Sequence, residues 1–188
     1  MTNYLVVALG NPGEKYEQTR HNAGWILVDL AFPDLEFERN SYANAGVTKT
    51  HISNQEIQIV KPATFMNESG VSVEYFIRKE HILPEHSIVI YDDIDLPIGK
   101  MKISFDRGSG GHNGIRSIEA HLGSREFIRI RIGISKLLES GELVKPNVLG
   151  NFESSELETL KILASRVKSA VETIISEGKE AAMTKFNQ

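Results

Sequence analysis

The sequence predicts an α/β domain in which helices cover both faces of one sheet, and three observations lead there. Apolar runs of strand length alternate along the chain with stretches of helical periodicity, the pattern of helices packed on a sheet. The chain has 188 residues, about the length of one domain and enough to bury roughly 70% of its unfolded surface around one core. Hydrophobic residues make up 40% and charged residues 24%, ordinary globular usage that sets aside disorder, collagen-like repeats and a coiled coil. No linker, internal repeat or low-complexity tract divides the chain, so residues 1–188 are expected to form a single domain.

The elements follow in order. Residues 3–10 are a continuous apolar run ending in a turn, as in a buried strand, and Asn11-Pro12-Gly13 breaks it. Residues 25–31 read as a helix stopped by Pro33. Residues 42–51 and 56–60 read as a hairpin around Ser53-Asn54-Gln55. Residues 71–80 place Val71, Tyr75 and Phe76 on one helical face. Residues 87–91 form another buried strand, followed by an acidic turn at Asp92-Asp93-Ile94-Asp95.

Residues 100–105 alternate charged and apolar, as a half-exposed strand does; 108–111 are a glycine-rich loop and 115–122 a helix closed by Gly123. Residues 127–134 alternate with Arg129 and Arg131 on one face. From Ser155 a stripe of Leu160, Leu163, Val167, Ala170, Val171 and Ile174 marks a long amphipathic helix. Ser155 with Glu158 reads as its capping box, and a short terminal helix follows Gly178.

Composition excludes several chemistries. The absence of cysteine removes disulfides, thiolate zinc sites, iron–sulfur clusters and a Cys nucleophile. No apolar run approaches the roughly 20 residues of a membrane helix. Met1-Thr2-Asn3 carries no positive charge ahead of an apolar stretch, so no secretory signal is expected and the expected location is the cytoplasm. The formal net charge of −4 is unevenly distributed: residues 1–99 carry 7 Lys/Arg against 14 Asp/Glu, and residues 100–136 carry 8 against 3. Such a basic block can face a polyanion, or its side chains can be scattered over several faces.

Three polar segments fall at strand ends and helix starts, where α/β sheets place their ligands. The first is residues 9–13 with Thr19-Arg20-His21-Asn22-Ala23-Gly24; the second is Thr64-Phe65-Met66-Asn67; the third is the acidic turn with the loop at 108–114, where His112-Asn113 opens a helix. Taken singly each has a plain structural reading: Asn11 as a turn residue, His21-Asn22 as a cap, Met66 as core, Asn67 as an N-cap. Taken together they assemble an acyl-hydrolysing set. A His oriented by an Asp is a general base, water is the nucleophile when neither Cys nor a GxSxG elbow is present, and Asn11, Asn67 and Asn113 supply neutral donors for an oxyanion or a substrate amide. Asp92, Asp93 and Asp95 lack EF-hand spacing and HExxH is absent, so no metal is expected, a Mg²⁺ site being the weaker alternative.

These segments resemble the bacterial peptidyl-tRNA hydrolase family. The resemblance is carried by Gly10-Asn11-Pro12-Gly13 with Tyr16, by residues 19–24, 61–70 and 91–99, by Gly108-Ser109-Gly110-Gly111-His112-Asn113-Gly114 with residues 115–118, by 129–134, and by Val148-Leu149-Gly150-Asn151-Phe152, in order over nearly the whole chain. It implies a three-layer α/β/α domain with a mixed, twisted sheet. It also implies an esterase which cuts the bond between a peptide's carboxyl and the 3′-terminal ribose of tRNA and so recycles tRNA dropped by ribosomes; from composition and motif spacing it is expected to be cofactor-free, monomeric and cytoplasmic. On that resemblance His21 is the general base, Asp92 its partner and Asn11 a carbonyl holder; Tyr16, Met66, Asn67, His112 and Asn113 contact substrate; Lys102 and Arg131 lie on the tRNA side, near the acceptor stem. The sequence departs from the family at Asp106-Arg107-Gly108-Ser109, where a His and more glycines are usual. It departs again at residues 135–142, which leaves Lys136 and Lys145 as candidates for a tRNA-clamping cation.

Overall fold

A computed structural model describes residues 4–188. Met1-Thr2-Asn3, read above for a leader and for the start of the first strand, lies outside them. Among the described residues the strands are β1 (Tyr4–Ala8), β2 (Glu38–Asn40), β3 (Ala45–Ile52), β4 (Gln55–Pro62), β5 (Ser87–Pro97), β6 (Met101–Phe105), β7 (Ile128–Leu137) and β8 (Leu143–Val144). The α-helices are α1 (Ala23–Ala31), α2 (Ser69–Glu80), α3 (Asn113–Leu122), α4 (Ser154–Glu177) and α5 (Lys179–Phe186).

The strands form one mixed sheet in the order β2-β3-β4-β1-β5-β7-β6, with β8 paired to the end of β7. The central strands β4, β1, β5 and β7 run parallel, while β2, β3 and β6 are antiparallel to their neighbours. Alternation along each strand sorts side chains onto two cores. Val6, Ala8, Ile88, Ile90, Ile130 and Ile132 face α1, α4 and α5. Leu5, Val7, Val89 and Tyr91 face α2 and α3. The expected three layers are present.

Local sequence explains most elements. The β3–β4 hairpin turns on Ser53 and Asn54, both at positive φ, the geometry whose twist matches a two-residue hairpin. The α4 stripe is buried throughout, each such Leu or Ile contributing roughly 1.5–3 kcal/mol. Gly123 closes α3 in the left-handed conformation.

Three expectations need correction. Helix α2 buries Ser69, Val73 and Phe76, and Val71 is exposed. The reason is the approach of α2 to α3, where the Gly70 N–H donates to Ser117 Oγ at 2.9 Å and rotates Val71 outward. The capping box of α4 is Glu153 with Glu156, not Ser155 with Glu158; Arg20 holds Glu156 at 2.6 Å and fixes the helix start there. Strand β5 does not stop at Tyr91 but runs on to Pro97 through an irregularity between Asp93 and Pro97. The arginine face of β7 is buried, because β7 lies between β5 and β6 with helices above it. No helix among the described residues is long and apolar enough to cross a membrane.

Candidate active site

The first polar segment is anchored by a close approach. A Cβ on Gly24 would lie 2.4 Å from the Ile90 carbonyl and 2.7 Å from Leu9, so only glycine lets the start of α1 press against the ends of β1 and β5. That contact sets the preceding one-turn 3₁₀ helix, Arg20–Asn22, at the C-terminal edge of the sheet. Its outer side is stitched down by backbone bonds from Arg20 N to Gly150 O at 3.0 Å and from His21 N to Val148 O at 2.8 Å. His21 is thereby buried at the base of an open cleft of about 270 Å³.

Asp92 comes to the same place from β5. His21 Nδ1–H donates to its Oδ1 at 2.8 Å and its Oδ2 at 3.0 Å, and His112 Nε2–H donates to Oδ1 at 2.9 Å. A carboxylate only accepts, so both imidazole nitrogens facing it are protonated. His112 Nδ1 is then an acceptor, and it takes the Ile115 N–H at 3.3 Å as the N-cap of α3. His21 Nε2 has no protein partner among the described residues and is left to address the cleft. Burial would by itself raise the Asp92 carboxyl, but His112 and then His21 hold it well below the usual carboxylate range. Burial pushes the adjacent Tyr91 hydroxyl up to about 12, against the pull of Arg129 and Arg131.

His21, Asp92 and His112 bring one ligand atom each within 4.8 Å of one another, the spacing of a possible metal site. Their protons argue otherwise. With Nδ1 of His112 accepting a backbone N–H, a metal on Nε2 would need that N–H bond broken or the ring doubly deprotonated. The three acidic residues of the turn are likewise taken by separate bases: Asp93 by Arg131 at 2.5 Å and Asp95 by Lys145 at 2.7 Å, beside Asp92 with its two histidines.

Asn11 is held by a residue the sequence reading passed over. Asn22 accepts from the Asn11 backbone N–H at 2.8 Å and donates to the Asn11 carbonyl at 3.0 Å. Asn11 Oδ1 accepts the Met66 N–H at 2.8 Å. The oxygen is occupied, so the side-chain amide nitrogen, which has no partner among the described residues, is the end available to a ligand. Asn22 sits beside His21 in sequence and was legible only as a cap. The 148–150 backbone that clamps Arg20 and His21 carries no chemical signal at all.

The remaining residues divide. Tyr16 and Phe65 make an edge-to-face pair at 6.5 Å between ring centroids, with Phe65 exposed. Met66 is buried against the start of α3, its sulfur 2.6 Å from where a Cβ on Gly114 would stand. Asn113 is exposed at the cleft, its Oδ1 taking a hydrogen bond from Arg116. Asn67 is exposed and caps nothing, since it lies inside a 3₁₀ turn with no side-chain hydrogen bond among the described residues. Arg131 lines the cleft but is itself buried. Lys102 pairs with it across the β6–β7 ladder, so the two share a face of the sheet, and Lys102 is exposed without an ion-pair partner among the described residues.

An α/β sheet carrying a buried His–Asp hydrogen bond at its C-terminal edge, beside an amide donor and an open cleft, has the construction of a hydrolase centre. The peptidyl-tRNA hydrolase family profile matches residues 5–188. A peptidyl-tRNA hydrolase of Dichelobacter nodosus (strain VCS1703A) is 43% identical over 183 residues, covering 95% of each chain. The crystal structure of peptidyl-tRNA hydrolase from Acinetobacter baumannii superposes with a TM-score of 0.86 at 32% identity, over 98% of this chain and 94% of that one. A peptidyl-tRNA hydrolase crystallised with N-propanol gives 0.86 at 31% identity, over 98% and 94%. The chain belongs to the peptidyl-tRNA hydrolase family.

Proposed function

We propose that this chain hydrolyses the ester linking a peptide, or an N-blocked aminoacyl group, to the 3′-terminal ribose of tRNA, and so recycles tRNA released prematurely from ribosomes. The observation that carries the reading is the buried His21 Nδ1–Asp92 bond, which leaves Nε2 bare toward the cleft. Water held there gives its proton to Nε2 as its oxygen attacks the ester carbonyl. Asp92 fixes the tautomer and stabilises the imidazolium that forms. The oxyanion of the tetrahedral intermediate takes a hydrogen bond from the Asn11 amide. When the ester C–O bond breaks, Nε2–H returns the proton to the ribose oxygen.

The half-buried Tyr16 and the exposed Phe65 offer an apolar wall to the peptide, with Asn67 and Asn113 as amide contacts and Met66 as the packed support beneath. Lys102 is the cation best placed for tRNA phosphate, with Arg131 behind it, and the acceptor stem and 3′ end are the partner this surface fits. The whole chain working as one domain, monomeric and cytoplasmic, is part of the same reading and rests on family membership and cysteine-free composition.

The test is turnover of two substrates. N-acetylaminoacyl-tRNA should be hydrolysed while free aminoacyl-tRNA largely survives. No hydrolysis of the blocked substrate would overturn the reading.

A further inference from the structure

The resemblance places His112 among residues that touch substrate, but its contacts describe a different employment. Nε2–H is on Asp92 Oδ1 at 2.9 Å and Nδ1 is on the Ile115 N–H at 3.3 Å, so neither nitrogen is free for a ligand. The ring packs edge-on against Tyr91 and tilted against His21, at 4.9 Å between centroids in both cases, and its side chain is 9% exposed. Asp92 is paired in register with Ile132, just before the irregularity between Asp93 and Pro97; the ladder fixes its backbone only, and the orientation of its carboxylate is set by the hydrogen bonds from His21 and His112.

Resting on the hydrolase reading above, we propose that His112 is a positioning residue: it grips Asp92 from α3 while His21 holds the same carboxylate from the 3₁₀ turn, so that the acid cannot rotate away from the base. The second hydrogen bond also shares out the carboxylate's negative charge. Less of it then falls on His21. The other charged or titratable groups lining the cleft are Tyr91, Asp93 and Asp95 on β5, Arg107 in the glycine-rich loop and Arg131 on β7; Arg131 is already paired with Asp93 and Asp95 with Lys145. The coupling therefore runs through Asp92. Capping α3 with the same ring ties the end of the glycine-rich loop to the catalytic carboxylate.

Three variants of the full chain separate this role from its rivals. His112→Ser keeps an N-cap for α3 but removes the grip on Asp92; His112→Ala removes both; His112→Gln keeps a donor for Asp92. With N-acetylaminoacyl-tRNA, Ser and Ala should lower kcat roughly 10- to 100-fold, the worth of one hydrogen bond to a charged group. KM should stay unchanged, only Ala should lower Tm, and Gln should recover most of the rate. In Ser and Ala the acid limb of kcat/KM should move to higher pH, because the unshared carboxylate holds the His21 proton more tightly. A raised KM with an unmoved limb would make His112 a substrate contact, and full activity in Ser would reduce it to a helix cap; either result overturns the proposal. A wild-type protein silent on the blocked substrate defeats the hydrolase reading instead, so the two failures are distinguishable.

Discussion

Asp92 and Asp93 are neighbours on one strand, face opposite sides of the sheet and are both paired with bases, yet they are built for different work. Asp93 holds Arg131, with both side chains at 10% exposure or less, and a guanidinium does not give up its proton in a protein. Asp92 holds two imidazoles, side chains that can both accept and give up a proton. The carboxylates are the same, and the partner decides the use. A pair with arginine is a fixed strut, whereas a pair with histidine can gain and lose charge during a reaction.

The largest expected effect breaks the exchanging pair. General-base catalysis is worth typically 10²–10⁴-fold, so His21→Ala should lower kcat by about that range and leave tRNA affinity nearly unchanged. Asp92→Asn should cost less, since a carbonyl oxygen can still accept from Nδ1 while the charge that stabilises the imidazolium is gone. The double variant should lose much less than the product of the two losses, because the residues act as one unit. A fully active His21→Ala protein of lowered Tm would mean that His21 only supports the helix after it.

How far the sequence showed this comparison depends on the kind of contact. The strands and the long α4 were legible because alternation and the three-and-four stripe report burial directly. His21 and Asp92 could be placed together from the sequence because both sit in the motifs that carry the family resemblance; taken singly, His21 reads as a cap. Arg131 was not legible as a strut: its alternating strand looks the same whether its polar face meets water or helices, and only the position of β7 inside the sheet decides. Asn22 was hidden for a related reason, since its hydrogen bonds go to the backbone of Asn11, eleven residues earlier in the chain. The β5 extension was missed because three aspartates read as a turn until each is seen to have its own basic partner.

The fixed pair should answer to stability more than to rate. Removing one partner of a buried ion pair typically costs about 3–5 kcal/mol, because the other charge is left uncompensated. Asp93→Asn should therefore lower Tm by roughly 6–20 °C for a chain of this size, while kcat at a temperature where the protein stays folded falls far less than in Asp92→Asn. A variant that melts normally but loses kcat as Asp92→Asn does would place Asp93 in the reaction and dissolve the distinction.

A smaller effect tests the surface above that strut. Lys102 is exposed and shares a sheet face with Arg131. If it meets a phosphate, Lys102→Ala should raise KM for intact tRNA substrate and reduce the slope of log affinity against log salt by about one. A small N-blocked aminoacyl ester without the tRNA body should be cut at an unchanged rate. Equal losses on both substrates would move Lys102 from binding to folding or chemistry.

The smallest effect is in acid stability. The folded-state carboxyl of Asp92 is depressed, while an unfolded Asp titrates near about 3.9. A depressed carboxyl binds fewer protons folded than unfolded, so its stabilisation is fully present above the unfolded value and is lost as pH falls through the folded one. The Tm difference between wild type and Asp92→Asn should accordingly hold constant from about pH 7 to pH 5, begin to narrow only below about pH 4, and keep narrowing into stronger acid. Scanning calorimetry of both proteins across that range reads the window directly. A gap that widened between pH 7 and pH 5 would show that protonation of the histidines governs the cluster's contribution to folding, since a carboxylate beside an imidazolium stabilises the folded state further, and that Asp92 is held by charge on its partners more than by their neutral N–H groups.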